Sequence, residues 1–156
     1  MKKNPLQIYL HDHLAGAALA IDMLSAMGGH HPDIVVARFA RELLAEIKED
    51  HVQLQQLASR IETHSAGFKE ILARIMEKMS RLKLRRTRND ALGTFESFEA
   101  LSLGILGKKA LWTALGSVED PRLEGLDYML LVQRAREQHA RVERMRLELA
   151  PRALQG

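Results

Sequence analysis

The chain has 156 residues, of which 46% are hydrophobic and 4% aromatic, with no cysteine and a formal net charge of +3. That length suits one domain over 1–156 with a core of its own, and the missing cysteine excludes disulfides, thiolate metal sites and cysteine nucleophiles. No apolar run approaches the ~18 residues of a spanning helix, and charge and histidine interrupt MKKNPLQIYLHDH too early for a secretory leader, so an unprocessed, soluble, cytoplasmic chain is expected.

The first helix is expected over about Leu6–Met27, ended by Gly28-Gly29, because glycine takes a left-handed cap without steric cost. Leu6, Leu10, His13, Ala17, Ala20, Leu24 and Met27 recur at helical spacing, which places His13 on the inner seam. His30, His31 and Pro32 complete the turn, with the histidines read as caps rather than ligands. A second helix starts at Pro32-Asp33. Its seam of Val36, Ala40, Leu43, Ile47, Leu54, Ala58 and Ile61 is interrupted at Asp50-His51, and Glu46 lies one turn before Asp50.

A shorter helix is expected over about Phe68–Leu84. The segment from Arg74 to Arg88 carries +6, which leaves the rest of the chain at −3. Its densest part, Arg81, Lys83, Arg85, Arg86 and Arg88, is either a solvated crossover or an anion-attracting patch for phosphate, nucleic acid or an acidic partner. Interleaved aromatics, which stacking on single strands requires, are missing from it.

A third helix is expected over about Leu92–Leu115, closing at Gly116, with Glu99 in line with Leu92, Phe95, Leu103 and Leu106. Gly104 and Gly107 would let a neighbouring helix approach closely. Lys108 and Lys109 are surface residues, or Lys109 partners an inward acid, and Trp112 fills the core. Asp120-Pro121 caps a fourth helix running to about Leu149, which Pro151 limits; it sets Gln133 and Glu137 in line with Leu126, Leu130 and Ala140. No strand is expected. GILGKK lacks the spacing of a phosphate loop, and no serine sits in a strand-to-helix elbow.

The two short turns make antiparallel hairpins joined by one long crossover, an all-α, four-helix arrangement. Counted outward from the turns, His13 lies near Glu46, Asp50 and His51, and Glu99 faces Glu137. Inward carboxylates must find hydrogen bonds, counter-charges, a metal or water.

Two hairpins, one crossover and inward carboxylates resemble the ferritin-like superfamily. More closely, YLHDHLAG, EIKEDH, FESFEALSLGILGKKALW and the RAREQ run resemble a family of bacterial helical proteins without an established function. The resemblance covers most of the chain and implies a ferritin-like four-helix bundle with a shorter crossover helix, but no activity. Di-metal members take a glutamate from helices one and three and Glu-x-x-His from helices two and four. Here His13 stands at the first of those positions and Glu99 matches the third-helix one, whereas Lys48 precedes His51 and Arg136 precedes His139 where glutamate would be needed.

A non-catalytic binding or assembly protein with a hydrated, hydrogen-bonded interior cluster is therefore expected. One rival is a divergent di-metal carboxylate protein using His13, Glu46, Asp50, Glu99 and Glu137, with iron or manganese and neither favoured. The other is an anion or nucleic-acid binder working through Arg81 to Arg88. Surplus apolar positions at Leu14, Leu19, Met23 and Leu131 point to a homodimer.

Overall fold

The computed structural model describes residues 4–62, Ala73, Glu77 and 89–155. Four long helices account for nearly all of them: α1 (Pro5–His30), α2 (Ile34–Ile61), α3 (Ala91–Leu115) and α4 (Tyr128–Leu154). Among the described residues there is no strand, and no helix is long and apolar enough to cross a membrane. The expected helix over Phe68–Leu84, and the basic residues Arg81, Lys83, Arg85, Arg86 and Arg88, lie outside the described residues apart from Ala73 and Glu77.

Each long helix begins on an Asn or Asp whose carboxyl or amide oxygen accepts an otherwise unpaired backbone N–H. Asn4 accepts from Leu6 at 3.0 Å, Asp33 from Val35 at 2.9 Å, Asp90 from Gly93 at 2.8 Å and Asp127 from Leu130 at 3.0 Å.

Three expected boundaries are corrected. Helix α1 does not stop at Gly28-Gly29 but runs through both to His30, and His31 ends it in an extended conformation. There His31 Nδ1 accepts the Asp33 N–H at 3.1 Å, while Nε2 donates to Thr94 Oγ1 at 2.8 Å. Asp120-Pro121 starts a single 3-10 turn, Pro121–Leu123, and not α4. Asp120 spends its carboxylate on the Arg122 backbone and guanidinium, which holds its pKa down at about 2. Gly125 then takes φ +92°, a conformation that favours glycine, and α4 starts only after it. Finally, α4 continues through Pro151 to Leu154, with the Gln155 N–H returning to the Pro151 carbonyl.

Helix α1 packs along α2 and α3 along α4, giving the two expected hairpins. Core membership fixes their directions. One cluster joins Leu10 near the start of α1, Leu57 near the end of α2, Leu111 near the end of α3 and Leu131 near the start of α4. The other joins Leu24, Val36, Phe98 and Val142. Helices α1 and α4 thus run one way and α2 and α3 the other, so α2 ends and α3 begins at opposite ends of the molecule. Leu10, Leu24, Leu43, Phe98 and Trp112 are at most 1% exposed. Burying each such side chain contributes roughly 1.5–3 kcal/mol before entropy is counted.

Candidate functional site

Between the two core clusters the interior turns polar. Asp50, 3% exposed on α2, is the centre of this region. Lys108 of α3 donates from Nζ to Asp50 Oδ2 at 2.6 Å and also to the side-chain oxygen of Gln138 on α4. Gln138 is fully buried; its amide nitrogen donates to Asp50 Oδ2 at 3.1 Å and Glu46 Oε2 at 3.2 Å. Arg134 Nε lies 3.2 Å from Asp50 Oδ1, but the two are misaligned for a hydrogen bond, so their attraction is coulombic. Arg134 also pairs with Glu49 at 3.0 Å, and Arg141 with Glu46 at 2.6 Å. Asp50, Glu46 and Glu49 are thus matched by Lys108, Arg134 and Arg141. Burial pushes the Lys108 ammonium below its ordinary range, while Asp50 pulls the other way.

The expected metal set separates in space. Asp50 and Glu46 belong to this ion-pair network. His13, half-buried on α1, packs edge-on against Tyr9 with ring centroids 4.7 Å apart. Glu99 is exposed and pairs with Arg146 at 3.3 Å, and exposed Glu137 accepts from Gln133 at 3.0 Å. Glu99 therefore does not face Glu137, because the 3-10 turn and Gly125 lengthen the second connection and shift α4 against α3. Among the described residues no three His, Asp or Glu come together to hold a metal ion. Each carboxylate of the set is already engaged by a protein donor, so the residues present do not fit a di-metal centre.

Beside the ion pairs, α1, α2 and α3 enclose a pocket of about 810 Å³, partly open to solvent. His13, Asp50 and His51, which the helical spacing placed near one another, all line it. Its walls are mainly apolar: Ala17, Ala20, Ile47, Leu101 and Ile105 are among them. The space exists because the facing side chains are small. A Cβ added at Gly16 or Gly104, both in the lining, would meet nothing within 4 Å. This corrects the expected role of Gly104 and Gly107, since neither admits a closely packed neighbour.

Burial lowers the pKa of His13, against the pull of Asp12, and burial alone lowers that of His51. Three polar atoms of the lining residues, Asp50 Oδ1, His51 Nδ1 and Trp112 Nε1, are buried without a hydrogen-bond partner.

A second cluster joins Ser102, His139, Glu143 and Arg146. The Ser102 hydroxyl donates to Glu143 Oε1 at 2.6 Å, so His139 Nε2, 3.0 Å away, donates to that hydroxyl. A nucleophilic serine needs the reverse, with the hydroxyl donating to imidazole. Hydrogen bonds from Arg146 and Ser102 hold the Glu143 pKa down at about 2, which leaves a weak base.

Lys108, Gln138, Arg134 and Trp112 escaped the sequence reading as site residues. A signal existed for Gln138, since Leu131, Ala135, Gln138 and Val142 are all buried at helical spacing. Comparison with protein-family models, curated proteins and solved structures gives no match to this chain.

Proposed function

We propose that the protein is a non-catalytic, ferritin-like four-helix binding protein that takes a small, largely apolar molecule into the pocket between α1, α2 and α3. The opposed directions of the hairpins support the ferritin-like topology, with one long connection between α2 and α3. One observation carries the binding reading: a pocket of about 810 Å³ with mainly apolar walls and a few convergent polar groups. Pockets for organic ligands have this character and volumes of roughly 300–1,000 Å³.

The di-metal alternative receives no support from the donor set. The ion pairs at Asp50 and Glu46 supply the counter-charge that a metal would provide.

The chain has one tryptophan, and it lies in the pocket wall, so Trp112 emission reports occupancy. Titration with N-phenyl-naphthylamine, an uncharged apolar dye, is expected to quench that emission saturably. Gly104→Leu fills open space without touching the ion pairs, and is expected to abolish the quenching while preserving helical content. Absence of saturable quenching in the wild type, or equal quenching in the filled variant, would refute the pocket as a binding site.

A further inference from the structure

The polar groups around the pocket are unbalanced. An ammonium has three N–H donors. Lys108 uses two, on Asp50 and Gln138, and no acceptor for the third is found among the described residues. The indole of Trp112 is a donor only, 1% exposed, and its N–H has no acceptor. Both residues line the pocket.

Asp50 Oδ2 receives hydrogen bonds from Lys108 and Gln138, while Oδ1 has the Arg134 guanidinium at 3.2 Å but no hydrogen bond. Each neutral imidazole, at His13 and His51, brings one donor and one acceptor, so neither alters the balance. What remains at the polar end of the pocket is two unpaired N–H donors, on Lys108 and Trp112, against one unpaired carboxylate oxygen, Asp50 Oδ1. A buried donor left unpaired costs about 1–3 kcal/mol, which an incoming acceptor would recover.

Resting on the reading of this pocket as a small-molecule site, we propose that its ligand has an apolar body and a hydrogen-bond-accepting head, a carbonyl or carboxylate, held by Lys108 and Trp112. The small residues Gly16, Ala17, Ala20 and Gly104 leave room for the body. A head group that only donates hydrogen bonds would leave the Trp112 N–H unsatisfied and would set a second cation beside Lys108.

Calorimetric titration with three molecules of equal chain length tests this: decanoate, methyl decanoate and decylamine. Both acceptor-headed molecules are expected to bind at least tenfold more tightly than the amine, and their relative order reports whether the head is anionic or neutral. Trp112→Phe keeps the shape and removes the N–H. It should weaken the two acceptor-headed molecules by about three- to tenfold, the worth of one hydrogen bond, and leave decylamine unchanged. Lys108→Met should narrow the preference further, but it also strips Asp50 of its partner, so Trp112→Phe is the deciding variant.

Decylamine binding as tightly as the others, or an unchanged preference in Trp112→Phe, would overturn the head-group assignment and leave the pocket reading standing. Failure of all three molecules to bind, together with a failed dye titration, would overturn both.

Discussion

At position 50 a carboxylate that is almost wholly buried survives because Lys108 and Gln138 donate to it and the Arg134 guanidinium lies 3.2 Å away, all from two other helices. Removing one partner of a buried pair leaves the other charge desolvated, so Lys108→Met should cost about 3 kcal/mol, with Arg134 holding the loss near the lower end of the usual range. The double change Lys108→Met with Asp50→Leu should cost less than the two single changes added together. Urea denaturation of the four proteins measures this directly; additive costs would mean that the pair is not coupled.

The histidines predict a pH effect. His13 and His51 have folded-state pKa values below the unfolded 6.5, so the unfolded chain binds protons first as pH falls. Their contribution is complete above the unfolded value and is lost as pH drops from 6.5 toward the folded values. Glu143 and Asp120, each held near 2, add their losses only below the ordinary carboxylate range. The melting temperature should therefore fall between about pH 7 and pH 5, and a His13→Gln, His51→Gln double variant should flatten that fall. An unchanged slope in the double variant would exclude these two groups as its source.

The helices differ in how far their sequences revealed them. For α2, all seven residues assigned to the seam, from Val36 to Ile61, are buried, because polar and apolar faces alternate cleanly. In α3 the seam was misphased: Leu103 is 65% exposed while Phe98 and Ile105 are buried. That helix is apolar nearly all round, so periodicity has no polar stripe from which to set its rotation. The same ambiguity put Lys109, rather than Lys108, forward as the partner of the acid. In α4 the seam was set one residue early, on Leu130 and Glu137 in place of Leu131 and Gln138, and the late helix start at Tyr128 moved its register against α3.

Glycines 28 and 29 show why composition alone does not place a helix end. Both are helical, yet a Cβ at Gly28 would lie 2.8 Å from Arg41 Cγ, whereas Gly29 faces open space. Arg41 also donates to the Gly28 carbonyl at 2.6 Å, so α1 and α2 meet closely there. Gly29→Ala should raise stability by roughly 0.5–1 kcal/mol through reduced chain entropy, while Gly28→Ala should bring no gain. Urea midpoints compare the two; equal stabilisation would contradict the close approach.

Across the whole molecule, Leu14 and Leu131, two of the four surplus apolar positions, are spent inside the core. Ile8, Leu19, Leu103 and Leu106 on α1 and α3 are instead 40% or more exposed. Apolar surface of this kind favours association, and light scattering at tens of micromolar should report a dimer; a monomer would remove that expectation. In the interior, Lys108, Arg134 and Arg141 neutralise the acids, and the adjoining pocket is proposed to take an organic molecule in place of a metal. Metal content measured by mass spectrometry, on protein purified without chelator or affinity tag and dialysed against ferrous iron or manganese, tests it most directly. Far less than stoichiometric metal is expected. A stoichiometric ion that is present in the wild type and lost in Asp50→Asn would contradict it.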